Sequence, residues 1–126
     1  MRNFRKLEVW NLSMDLCTEV YQFTKSFPKE ELYGLVSQIR RCSVSTPSNI
    51  AEGSSRDSEK DFARFLQIAL GSAFELESQI EISMRNSFIT KVQYGSTIEK
   101  LNIIQAKLNK FHSTVKNRLK TAYEQQ

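Results

Sequence analysis

Basic side chains gather at the two ends of this 126-residue chain. Arg2, Arg5 and Lys6 open it, and Lys100, Lys107, Lys110, Lys116, Arg118 and Lys120 close it. Residues 1–7 carry +3, residues 8–99 carry −4 and residues 100–126 carry +5, so the formal net charge of +4 is a sum of opposed regions. Clustered ammonium and guanidinium groups neutralise phosphates and release their counterions. Phosphate groups, such as those of a nucleic-acid backbone, are therefore the ligand chemistry this pattern suits. Lysines near a helix C-terminus also complement the helix dipole and keep a surface soluble, and residue types alone leave both readings open. In mid-chain, Arg40 and Arg41 can serve phosphate contact or pair with Glu52, Glu75 or Glu77, within a subunit or between subunits. Glu75, Glu77 and Glu81 form an acidic set, and Glu77 repels Glu81 four residues on. With Glu52 they are the candidate surface for a second subunit or a partner protein.

Other chemistries lack their parts. A dimetal bundle site needs Glu-x-x-His pairs, and the sequence has one histidine, His112, with no glutamate three residues before it. A phosphate-binding loop ends in Gly-Lys-Ser/Thr after a strand; Gly53-Ser54-Ser55-Arg56 has neither feature. A Ser or Cys nucleophile needs a base, and His112 is the sole histidine available. Cys17 and Cys42 lie singly inside amphipathic patterns and read as small buried thiols of a reducing compartment. No apolar run reaches the length of a membrane span, and no signal-peptide core follows the basic start. The expectation is a cytoplasmic, non-enzymatic protein with no catalytic residues, metal site, cofactor, membrane contact or small-molecule substrate.

The elements that position these residues follow from periodicity. Val9, Trp10, Leu16, Cys17, Val20, Phe23, Thr24 and Phe27 recur at helical spacing, and Pro28 ends the run. Leu32, Leu35, Val36, Ile39, Cys42, Ser43, Thr46, Ile50 and Ala51 continue in phase through Pro47, which predicts one helix kinked at that proline. The small polar residues around Pro47 can bond to nearby carbonyl groups and permit close helix approach. Gly53-Ser54-Ser55-Arg56-Asp57 reads as a loop, and Ser58 with Asp61 reads as a capping pair. Phe62, Phe65, Leu66, Ala69, Ala73, Leu76, Ile80 and Met84 mark a third helix, with a close crossing expected at Gly71, Ser72 and Ala73. Thr90 caps a fourth, whose stripe runs Tyr94, Ile98, Leu101, Leu108, Phe111, Val115 and Leu119, with Ile104 or Gln105 filling the missing step. Trp10, Tyr21, Tyr33 and Phe62 read as core at this spacing, with base stacking as the lesser alternative. Helices over about 7–27, 30–53, 58–86 and 90–121, in a single domain spanning 1–126, predict an all-α, up-down-up-down four-helix bundle. Only 4 Gly and 2 Pro agree with few turns. Such a bundle brings its two termini, and both basic regions, to one end.

The segment Gln38–Gly53 resembles the signature of the bacterial four helix bundle protein family, first noticed as reading frames in intervening sequences of large-subunit ribosomal RNA genes. Phe4–Trp10, Phe27–Leu35 and Phe65–Glu77 resemble further stretches of that family, so the likeness spans about residues 4–85. The resemblance implies a four-helix bundle that assembles into a ring-like homopentamer. It also implies kinship with the accessory variability proteins of diversity-generating retroelements, which bind a reverse transcriptase and nucleic acid. No catalytic residue carries over. Two functions stand as expectations. The first is an oligomeric accessory protein that binds RNA or RNA–DNA hybrid through Arg2, Arg5, Lys6, Arg40, Arg41, Lys110, Lys116, Arg118 and Lys120. The second is an assembly scaffold for a partner such as a reverse transcriptase, with no nucleic-acid role of its own.

Overall fold

The computed structural model describes residues 2–125. Four helices account for most of them: α1 (Glu8–Thr24), α2 (Leu35–Ser54), α3 (Glu59–Arg85) and α4 (Lys91–Glu124). Short 3-10 turns at Phe4–Lys6 and Lys29–Glu31 precede α1 and α2. Each helix packs on its neighbours in sequence, α1 also packs on α4, and the diagonal pairs do not meet, which is a closed four-helix bundle. Val20, Ile39, Ile50, Phe62, Leu66, Leu76, Ile80, Leu101, Ile104, Leu108 and Val115 fill its axis. The stripes that define the helices are thus the stripes that the bundle buries.

The two ends differ. At one, Phe27 from the first connection meets Phe88 from the third, with ring centroids 5.5 Å apart. At the other, the N-terminal segment, the end of α2, the start of α3 and the last turns of α4 converge. There the Arg2 amide donates to the Ser54 carbonyl (3.3 Å), and Glu59 pairs with both Arg2 and Arg118. The basic termini do come to one end.

The first two helices are shorter than their periodicity predicts. α1 stops at Thr24 rather than 27, although Phe27 is buried as expected. The second helix begins at Leu35, not near 30. Gly34 adopts φ −110°, ψ −107°, which is not helical, and Leu32, expected in the core, is 47% exposed. Glu31 still serves the helix start, since its carboxylate accepts from the Leu35 amide (3.4 Å). Tyr33 and Tyr21 are likewise exposed rather than core, Trp10 is half-buried, and only Phe62 of that aromatic set is fully enclosed.

α2 passes through Pro47 as one helix. The flanking side chains bond back along it: Thr46 Oγ1 donates to the Cys42 carbonyl (3.2 Å) and Asn49 Nδ2 to the Ser45 carbonyl (2.8 Å). Close approach occurs as the small residues require, with Ser45 and Ser72 hydroxyls 2.8 Å apart between α2 and α3. The crossing does not involve Gly71, beside which a Cβ would meet nothing within 4 Å. It involves Gly53, which lies inside α2 rather than in a loop, and whose Cβ would stand 2.6 Å from Phe65 Cβ.

The caps of the last two helices are as expected. Ser58 Oγ accepts from the Asp61 amide (3.0 Å). Thr90 and Gln93 complete a reciprocal capping box. α4 extends to Glu124, and both Ile104 and Gln105 are buried, so the stripe is filled twice at that step. Between α3 and α4, Ser87 sits at φ 61°, the left-handed position that ends a helix, while the Phe88 amide closes onto the Ser83 carbonyl (2.9 Å). Glycine takes that conformation without the Cβ penalty. Ser87→Gly should therefore raise stability by about 0.5–1 kcal/mol. A lower urea midpoint for the variant would contradict this.

Candidate nucleic-acid interface

The convergent end sorts its cations into held and free. Arg2 is held four ways: by Glu59, by the Arg56 carbonyl (3.2 Å), through its own amide, and by its guanidinium lying 4.1 Å from the Phe62 ring centroid. Arg118 reaches the same Glu59 at 3.5 Å. Glu59 thus carries two arginines in addition to its place in the first turn of α3, the only role its sequence position signals. Lys107 pairs with Glu8 (3.2 Å) across the α1–α4 seam, and Lys100 pairs with Glu19 further along it. By contrast, Lys6, Lys110, Lys116 and Lys120 are exposed, and among the described residues none of them forms an ion pair. Lys110 lines a hollow with Leu7, Glu8, Val9, Lys107 and Phe111, which fixes it beside the start of α1.

Arg5 lies over two rings, 5.8 Å from the Phe4 centroid and 5.7 Å from that of Trp10. The turn that presents it is tied down. Asn3 Oδ1 accepts from the Arg5 amide, and Asn11 Nδ2 donates to the carbonyls of Arg5 (2.9 Å) and Leu7 (3.0 Å). This aromatic and arginine group has a sequence signal only in hindsight, because Phe4 and Trp10 lie six residues apart across a helix start.

Arg40 and Arg41 part company. Arg40 turns toward α1, where its Nε donates to Thr24 Oγ1 (3.0 Å) and its guanidinium lies 4.8 Å from the Tyr21 ring centroid. Arg41 is exposed and lines a cleft between α2 and α3 with Gln38, Cys42, Ser45, Ser72, Glu75 and Gln79. Neither arginine pairs with Glu52, Glu75 or Glu77 inside this chain; Glu52 takes Arg56 instead (2.9 Å). Burial, together with the Glu75 carboxylate beside it, pushes the Cys42 thiol up to about 11, so it is a neutral, unreactive thiol at physiological pH. Cys17 is half-buried, and both cysteines are free.

The acidic residues of α3 do not share one face. Glu77 and Glu81 turn toward α4, where Glu77 accepts from Gln105 Nε2 (2.8 Å) and Glu81 from the Tyr94 hydroxyl (2.5 Å). The Tyr94 hydroxyl, and then Arg85, hold the Glu81 carboxyl below the usual carboxylate range, and the same bond raises Tyr94. Glu75 turns the other way, to the α2 cleft. The donors that a second subunit was expected to supply are supplied, for Glu77 and Glu81, from within.

Among the described residues, no group of three or more His, Cys, Asp or Glu side chains is placed to hold a metal ion. Among the same residues, no helix is long and apolar enough to cross a membrane. Fold and surface together define a four-helix bundle with one cationic end. Within that class, a model of the 23S rRNA-intervening sequence protein family matches residues 5–110, and the chain belongs to that family. A solved structure from Bacteroides thetaiotaomicron VPI-5482, a protein of unknown function from the S23 ribosomal protein family, is 28% identical. It superposes with a TM-score of 0.77 over 83% of this chain and 95% of its own. No curated protein matches. Lys116, Arg118 and Lys120 lie beyond the family match, on the last turns of α4.

Proposed function

We propose that this protein is a non-enzymatic accessory protein, a homo-oligomer whose cationic end binds the phosphate backbone of structured RNA or an RNA–DNA hybrid. The observation that carries this reading is the set of exposed lysines, Lys6, Lys110, Lys116 and Lys120, at the end where Glu59 already occupies two arginines. The arginines stabilise the fold and the lysines remain for an external anion. The family's name, which refers to an intervening sequence of 23S rRNA, supports an RNA context. A homopentamer would repeat the cationic end five times and turn weak phosphate contacts into a strong, salt-sensitive affinity.

Fluorescence anisotropy with a labelled RNA hairpin tests this. If the four free lysines each neutralise one phosphate, affinity should fall roughly 100-fold between about 50 and 200 mM salt. The triple charge reversal K110E/K116E/K120E should abolish binding at low salt with helicity unchanged. No binding at about 50 mM salt, or binding indifferent to salt, overturns the proposal. A monomer in light scattering removes its oligomeric part.

A second reading has its own support. Ile68, Phe74 and Ile82 expose apolar surface along α3, at 41%, 54% and 45%. Such a surface suits a protein partner, a reverse transcriptase for example, with the bundle as scaffold. A complex with a protein partner that survives the triple charge reversal would favour it.

A further inference from the structure

A hollow of about 310 Å³ opens between the N-terminal turn and the end of α2, lined by Arg2, Asn3, Phe4, Ala51 and Ser55. Its lining is largely apolar, yet it lies at the cationic end of the bundle. Phe4 is half-buried there, and its ring is held edge-on by Trp10 with centroids 5.0 Å apart. The small side chain of Ala51 leaves the space that a larger residue would fill. Two polar groups face this region with capacity to spare. Asn3 uses its Oδ1 on the Arg5 amide and keeps its Nδ2 donors, while Ser55 donates to the Glu52 carbonyl (2.7 Å) and keeps acceptor lone pairs. Arg5 and Lys6 are exposed immediately beside Phe4.

An occupant must match an aromatic wall, a few hydrogen-bonding edges and a rim of positive charge together. An apolar peptide brings no charge, and a bare phosphate brings no plane. A nucleotide brings both. We infer that this hollow receives one unpaired nucleobase of a bound strand, stacked against Phe4, while the flanking phosphates meet Arg5 and Lys6. The inference rests on the nucleic-acid reading above and sharpens it. The ligand is RNA or DNA with an unpaired base, as in a loop or bulge, and not a fully paired duplex, whose bases are stacked on each other and out of reach.

The test uses the full chain and two labelled single strands of about 15 nucleotides, one oligodeoxyadenylate and one abasic strand with the same phosphates and no bases. The strand with bases should bind about tenfold or more tighter than the abasic strand, a stacking contribution typical of single-strand binders. Both should show the same salt slope, since their phosphates are equal. Phe4→Leu, which keeps apolar bulk, should erase the difference between the two strands; Phe4→Tyr should retain it. Emission from Trp10, the chain's one tryptophan, should change with the base-bearing strand only. Equal, salt-dependent affinities for the two strands overturn the base pocket and leave the phosphate reading standing. No binding of either strand at low salt overturns the base pocket, and no binding of the RNA hairpin either overturns the phosphate reading with it. The comparison of strands needs no variant, so it stands even if Phe4→Leu fails to fold.

Discussion

Phe62→Ala should unfold this protein about 15 °C below the parent chain. Phe62 is fully buried, and three elements meet on it. The Phe111 ring of α4 abuts it edge-on, with centroids 5.3 Å apart at 83°, and the Arg2 guanidinium covers its face. A Cβ on Gly53 of α2 would come within 3.2 Å of its Cδ1. Truncating a buried phenylalanine costs about 3–5 kcal/mol through lost transfer energy and the cavity left behind. The Arg2 contact adds about 0.5–1 kcal/mol to that. Native domains are stable by only about 5–15 kcal/mol, so the variant approaches the margin. Urea unfolding of both proteins measures the difference. A loss under about 1 kcal/mol would mean that the site collapses around the missing ring and that Phe62 is not the pivot of the convergent end.

Gly53→Ala should also destabilise the protein, although it adds only a methyl group. Two effects compete. Alanine in a helix interior is favoured over glycine by about 1 kcal/mol. Against this, the new Cβ would lie 2.6 Å from Phe65 Cβ, an atom fixed to the α3 backbone that cannot rotate away. The helices must separate, and overpacking of this kind costs about 1–3 kcal/mol; a Cβ-to-Cβ clash belongs at the upper end. The net expectation is a loss of about 2 kcal/mol. Gly71→Ala is the matched control, because nothing lies within 4 Å of its added Cβ, and there only the favourable effect operates. The same substitution should thus stabilise at Gly71 and destabilise at Gly53. A gain at both positions would show that α2 and α3 can part without cost.

These two glycines also mark what periodicity can reveal. The stripe of α3, from Phe62 to Met84, was legible to within a residue at each end because it is long, capped at Ser58 and free of proline. Fold class followed from four such stripes. Gly53 was not legible as a packing residue. Beside Ser54 and Ser55 it has the composition of a loop, and only the position of Phe65 on another helix explains it. Gly71 erred in the opposite direction, since a small residue mid-helix faces a neighbour or faces solvent with the same local sequence. Leu32 keeps phase with Leu35 and Ile39, yet Gly34 interrupts the helix between them. The candidate site divides along similar lines. Convergence of the basic ends follows from topology, and a count of charges shows it. Which cations are engaged does not follow, because the partners of Arg2, Arg40 and Arg118 lie 57, 16 and 59 residues away in sequence.

Three of the four helix–helix contacts join consecutive elements through short connections; the fourth, between α1 and α4, joins the first element to the last. The chain therefore builds three sides of the bundle from local encounters, which places folding on the order of milliseconds or faster. The remaining side must wait. During synthesis, Glu8 and Glu19 emerge long before Lys107 and Lys100 are made, so a nascent chain exposes the side of α1 that faces α4 until its final helix leaves the ribosome. The seam between first and last helices is thus the latest to close, and the ion pairs across it form only once the whole chain has been made.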